Sequence, residues 1–161
     1  MKILKDNIND FFKWVKGTEL VELDDIDVSE DPVRPELTLG WRITKGRKIY
    51  GLKYEDEIEG IICIAYTNEV PQSVKELDMM SELIHMKKEK PTIAIAYTVW
   101  SRKRGAGREI IQKVLAEAKA NGIERVITLS PLTPMATHFH IRNGAKQISI
   151  NDTSQNFEYG L

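Results

Sequence analysis

The chain has 161 residues, 42% hydrophobic and 29% charged, which is enough for one globular domain with a sizeable core and too apolar for a disordered one. Its formal net charge is -1, so no global field draws it to nucleic acid or an anionic membrane, and any anion site must be local. Cys63 is the only cysteine, which excludes an intrachain disulfide and a cysteine-based zinc cluster; with no signal-peptide pattern at Met1 to Asp6 and no apolar run near ~20 residues, the cytoplasm is the expected location.

Ile8, Phe11, Phe12 and Val15 recur at helical spacing before Gly17 and predict a short amphipathic helix. Residues 20–35 carry Asp24, Asp25, Asp27, Glu30 and Asp31, then Pro32 and Pro35, the composition of a solvated connection. Strands are predicted over residues 37–43, 48–54 and 58–66, the last two joined by a hairpin turn at Glu55-Asp56-Glu57. Ile61-Ile62-Cys63-Ile64-Ala65 is apolar on both faces and reads as a central strand, with Cys63 as core filling.

After Pro71, Ser73 and Glu76 have capping-box spacing and open a helix whose Val74, Leu77, Met80 and Ile84 could face inward. Residues 92–100 form the most β-like run. Ile110, Ile111, Val114, Leu115 and Ala118 then make a helical stripe that Asn121-Gly122 stops. A strand over 125–129, a helix over 133–142 ended by Asn143-Gly144, and strands over 145–150 and 156–159 complete the chain. The expectation is an α/β domain over residues 1–161, with a mixed sheet and a helical insertion at about 71–90.

The chemistry-bearing segment is Arg102-Lys103-Arg104-Gly105-Ala106-Gly107-Arg108, between a strand and a helix. The first turn of a helix leaves its N–H groups unpaired, and the macrodipole adds partial positive charge there. Gly105 and Gly107 let a bulky anion approach the main chain, and the basic side chains add charge, so the loop suits phosphate or pyrophosphate. The alternative is a tight turn with exposed basic residues. A Rossmann fingerprint would need a small residue where Ile110 stands, and a P-loop would need lysine and a hydroxyl where Arg108-Glu109 stand.

Arg102-Lys103-Arg104-Gly105-Ala106-Gly107 resembles the Arg/Gln-x-x-Gly-x-Gly/Ala motif of the GCN5-related N-acetyltransferase (GNAT) superfamily at every defined position. Downstream, Ala136 and Gly144 match that family's Asn-x-x-Ala-x-x-x-Tyr-x-x-x-Gly-Phe helix pattern. The resemblance implies a mostly antiparallel sheet splayed between its fourth and fifth strands, with helices on both faces. It implies coenzyme A, usually as acetyl-CoA, held by main-chain groups of Tyr97, Thr98 and Val99 and by the amides of residues 103–108, with Arg102 adjacent. The implied reaction is direct transfer of the acyl group to an amine of unknown identity. The implied partners are acyl-CoA and an amine-bearing small molecule or protein, with a homodimer as an option and with neither nucleic acid nor membrane.

The departures from the pattern bear on catalysis. His140 stands where the family carries its tyrosine acid, Thr133 where it carries asparagine, and residues 93–99 hold no acid. A histidine near its ordinary pKa of about 6.5 can donate or accept a proton near neutrality, so His140 is the catalytic candidate; its alternative is a half-buried helix histidine. His138 falls on a different helix face. Ser130 could stabilise an oxyanion, whereas Thr133 before Pro134 reads as a helix N-cap. Thr128-Leu129-Ser130-Pro131 also resembles a run in malonyl-CoA decarboxylases, whose catalytic domain shares the GNAT fold and pairs a histidine with a hydroxyl residue. The functional readings are thus an N-acyltransferase, a non-catalytic CoA-binding module, and a malonyl-CoA decarboxylase-like enzyme.

Overall fold

The doubly apolar run at residues 61–65 can bury both faces only inside a sheet, and all five side chains are 2% exposed or less. They form the middle of strand β3 (Glu57–Thr67). The computed structural model describes residues 17–161, so the helix predicted from Ile8 to Val15 lies outside the described residues. The remaining strands are β1 (Glu19–Leu23), β2 (Lys48–Tyr54), β4 (Ile93–Ser101), β5 (Arg125–Thr128), β6 (Ser130–Pro131), β7 (Lys146–Ile150) and β8 (Ser154–Tyr159). Among the described residues they make one sheet in the order β1-β2-β3-β4-β5-β8-β6, with β7 also paired to β8. Every pairing is antiparallel except the parallel contact of β4 with β5.

Among the described residues four α-helices cover the sheet: α1 (Leu39–Ile43), α2 (Val74–Lys87), α3 (Ala106–Ala120) and α4 (Pro134–Arg142). The α3 stripe of Ile110, Ile111, Val114 and Ala118 presses onto Ile62, Ile64, Ala94 and Ala96. On the other face Leu77 of α2, with Leu39 and Trp41 of α1, packs with Ile61, Cys63, Ile95 and Tyr97. Each fully buried Leu or Ile contributes roughly 1.5–3 kcal/mol relative to exposure, so the sheet core carries most of the stability. No helix among the described residues is long and apolar enough to cross a membrane.

Two expectations about the early chain are corrected. Residues 39–43 are helical, not a strand. Thr38 Oγ1 caps the turn by accepting from the Trp41 amide at 3.1 Å. Helical spacing lets Arg42 turn inward with Leu39, where its guanidinium is fully buried and meets Asp31 Oδ2 at 2.7 Å. The acidic connection also contains β1 and a buried acid. Asp31 is 2% exposed and receives the Arg42 guanidinium, the Thr98 hydroxyl at 2.7 Å, and the amides of Val33 and Arg34. Composition marked a solvated stretch because a lone partner in the tertiary fold leaves no local signal.

The segment at 71–90 does form a helix. Ser73 Oγ accepts from the Glu76 amide at 3.1 Å, and Glu76 Oε2 accepts from the Gln72 amide at 3.0 Å. Asp78 ties α2 to the body through Trp41 Nε1 and Arg47, both at 2.9 Å, and the Arg47 guanidinium lies 4.0 Å over the Trp41 ring. The carbonyls of Pro71 and Gln72 accept from Asn156 and Ser154 of β8.

Candidate functional site

The site begins with a defect in the sheet. Thr98 pairs with Cys63 and Ala96 with Ile64, so Tyr97 is an extra residue in β4. Such a bulge bends its strand and raises local twist. Here it turns Tyr97 and Thr98 toward one face: Tyr97 joins the core beneath α1 and Thr98 reaches Asp31. Parallel pairing with β5 runs only from Ile93↔Arg125 to Ala96↔Thr128, and the Leu129 amide closes it on the Ala96 carbonyl at 3.0 Å. Beyond that point the two strands part. Residues 97–101 line a cleft of about 550 Å³, with Leu129, Ser130 and Pro131 across from them.

One end of the cleft is the loop that opens α3. Gly105 is the N-cap at φ 83°, a left-handed conformation that glycine adopts without strain. Gly107 is required for a different reason. A Cβ there would lie 2.9 Å from Ser101 Oγ and 3.1 Å from the Phe139 ring, so its absence lets α4 close against α3. The amides of Arg102 and Lys103 both donate to the Glu59 carbonyl, and that of Ala106 to the Lys103 carbonyl. The amides of Arg104, Gly105, Gly107 and Arg108 have no protein acceptor among the described residues. Arg102 is held by Glu30 through two contacts at 3.0 and 2.8 Å, and Lys103 lies 3.9 Å from Glu57. The expected anion surface is therefore narrower than residues 102–108: four amides, with Arg102 and Lys103 partly neutralised.

His140 and Ser130 are brought to the same cleft. Thr133 Oγ1 caps α4 by accepting from the Ala136 amide at 3.2 Å, with Pro134 in the first turn, so Thr133 is engaged as a cap. From α4, His140 points inward and is 6% exposed, while His138 is exposed. The His140 ring stacks on Phe157 at 5.1 Å, and its Nδ1 lies 2.7 Å from the Tyr159 hydroxyl. Nε2 has no hydrogen-bond partner among the described residues. Burial pushes the His140 pKa down to about 4, so the ring is neutral near pH 7 and does not serve as an imidazolium acid. The Ser130 hydroxyl is 2.8 Å from Thr128 Oγ1, which accepts the Phe157 amide at 3.1 Å.

The far wall comes from the segment that sequence reading assigned to solvent. Pro32 and Val33 line the cleft, and Arg34 Nη2 lies 3.3 Å from the Leu129 carbonyl. Tyr97 Oη, Trp100 Nε1 and Arg34 Nε are buried and lack a hydrogen-bond partner among the described residues. Among the described residues no Asp or Glu lines the cleft. Tyr159 and Arg34 were invisible as site residues because each meets its partner across a long sequence separation. Cys63 is fully buried, and desolvation raises its thiol pKa to about 11, consistent with core filling.

No protein-family model matches the chain, and no curated protein matches it in sequence. Solved structures match its fold. A Bacillus subtilis acetyltransferase in complex with CoA aligns with a TM-score of 0.61 at 10% identity, covering 89% of this chain and 97% of that one. A GNAT family acetyltransferase from Elizabethkingia anophelis with acetyl-CoA bound gives 0.56 at 11% identity, covering 89% and 98%. Malonyl-CoA decarboxylase from Cupriavidus metallidurans gives 0.53 at 19% identity, over 77% of this chain; the match spans 33% of the decarboxylase. The fold is that of GNAT acetyltransferases, with the parallel β4–β5 contact opening into a splay.

Proposed function

We propose that the chain is an acyl-CoA-dependent N-acyltransferase, using acetyl-CoA and transferring directly to an amine. The observation that carries this reading is one continuous arrangement. Four unpaired amides, of Arg104, Gly105, Gly107 and Arg108, stand where the cleft meets α3, and the cleft runs on between the parted strands to His140 and Ser130. Amides at a helix N-terminus suit a pyrophosphate. The edge of β4 from Tyr97 to Val99, unpaired toward β5, suits an extended arm that adds to a sheet by main-chain hydrogen bonds. Structures of the same fold with CoA and acetyl-CoA bound support the same ligand here.

Acyl-CoA supplies a thioester carbonyl open to nucleophilic attack. In the transfer the amine nitrogen bonds the carbonyl carbon, the C–S bond breaks with its electron pair on sulfur, and the amine's proton is passed on to the thiolate. His140 enters as a neutral ring. With the Tyr159 hydroxyl donating to Nδ1, Nε2–H can donate to the developing charge, as a neutral imidazole electrophile does. The Ser130 hydroxyl adds a second donor from the other wall. Positioning supplies most of the remaining acceleration.

Decarboxylation of a malonyl-type thioester is a second reading. It is favoured by the cleft lining, which among the described residues holds no carboxylate that could take the proton of an ammonium acceptor. There the bond to the carboxylate breaks, carbon dioxide leaves, and a proton replaces it on the α-carbon. Thermal unfolding with acetyl-, malonyl- and free CoA tests the shared claim: ligand at ~100 times its dissociation constant adds roughly 2.7 kcal/mol, and no shift with any of them refutes it. Thiol release with a panel of amines supports transfer, carbon dioxide from malonyl-CoA supports decarboxylation, and binding with neither leaves a non-catalytic module.

A further inference from the structure

Leu129, between β5 and β6, donates its amide to Ala96 of β4 where the strands have begun to part, and its carbonyl receives no β4 amide. Its partner is the guanidinium of Arg34, 3.3 Å away. Arg34 follows Pro32 and Val33, which line the cleft, and its guanidinium reaches the cleft wall at Leu129.

The charge has little to hold. The arginines Arg42, Arg47, Arg102 and Arg125 each meet a carboxylate within 2.9 Å. Arg34 has no carboxylate within ion-pair distance among the described residues. Glu36 and Asp31 are nearby charges outside pairing distance, and the two Asp31 oxygens already receive Arg42, Thr98 and two amides. Arg34 Nε is buried without an acceptor, and the neutral carbonyl of Leu129 satisfies only Nη2. A partly desolvated guanidinium with free donors is a costly arrangement unless an anion completes it, and a planar carboxylate fits its fork. Among the described residues the cleft beside it offers Ser130, a neutral His140 and no acid, so nothing lining it would pair with a bare ammonium.

We propose that Arg34 recognises a carboxylate carried by the substrate next to the thioester, which makes it the specificity-determining residue of this site. The proposal rests on the acyl-CoA reading. The carboxylate can belong to the acyl group, as in malonyl-CoA, or to an amino-acid acceptor, and the test separates the two.

The experiment measures displacement of a fluorescent CoA by free CoA, acetyl-CoA and malonyl-CoA, for the wild-type chain, Arg34→Gln and Arg34→Lys. For an acyl-borne carboxylate, wild type prefers malonyl-CoA over acetyl-CoA by about tenfold. Arg34→Gln loses that preference while keeping its affinity for free CoA, and Arg34→Lys retains part of it. For an acceptor-borne carboxylate the two thioesters bind alike. Thiol release from acetyl-CoA then favours amino acids over their amides by about tenfold, again only with Arg34 present. Unchanged affinity for free CoA shows that each variant is folded. Either preference surviving Arg34→Gln, or CoA binding with neither preference in wild type, overturns the proposal. A wild-type chain that binds no form of CoA overturns both it and the function on which it rests.

Discussion

His140 offers a prediction whose size follows from its burial. Its pKa falls from 6.5 to about 4 in the folded chain, because the ring is buried among Phe139, Phe157 and Tyr159. The unfolded chain takes up a proton as pH drops below 6.5, whereas the folded chain resists until about pH 4. The unfolded state therefore binds more protons in that window, and stability falls with falling pH. The loss from this one group is about 2 kcal/mol on going from pH 7.5 to pH 5, and about 3 kcal/mol once both states are protonated. Replacing the ring by Phe removes the titration while leaving a flat apolar group against Phe157. The measurement is urea unfolding by tryptophan fluorescence at both pH values, for wild type and His140→Phe. Other titrating groups contribute to both chains, so the difference between the two pH dependences isolates His140. Equal losses of stability in the two chains would refute the claim that the folded ring is held neutral.

Gly107→Ala places a Cβ against Ser101 and Phe139. Overpacking of about 1–3 kcal/mol outweighs roughly 1 kcal/mol of gained helix propensity, so calorimetry should show a lower Tm and displacement assays weaker CoA binding. Asp31→Asn leaves the fully buried Arg42 guanidinium without its counter-charge, with an expected loss of about 3 kcal/mol in denaturant titration. Ser130→Ala should lower turnover about 10²-fold with CoA affinity unchanged, since the hydroxyl is placed to act on developing charge; unchanged turnover would reduce Ser130 to its hydrogen bond with Thr128.

Much of the scaffold was legible because its signals are local. Strand β2 begins and ends at the predicted residues 48 and 54, and α2 and α4 start from the caps read at Ser73 and Thr133. Hydrophobic alternation, capping side chains and glycine stops act within a few residues of the backbone they shape, so a single chain displays them. The α1 segment failed because Leu37, Leu39, Trp41 and Ile43 alternate like a strand, while Arg42 between them is drawn inward by an acid eleven residues away.

The same division runs through the site. Arg102 to Arg108 disclosed the strand-glycine-helix junction, because unpaired amides and small side chains are properties of local sequence. Which amides remain free was decided by the Glu59 carbonyl, which takes those of Arg102 and Lys103 from β3. His140 was visible as a histidine at a telling position, but its neutrality comes from Phe157 and Tyr159 folding over it from β8. Asp31 and Arg34 looked like members of a solvated connection. Only the bulge at Tyr97 and the parting of β4 from β5 brought one into contact with Thr98 in the core and the other to the Leu129 carbonyl. Sequence determined where the backbone would turn and pair. The tertiary fold determined which charges lost their water, because desolvation depends on what lies across space.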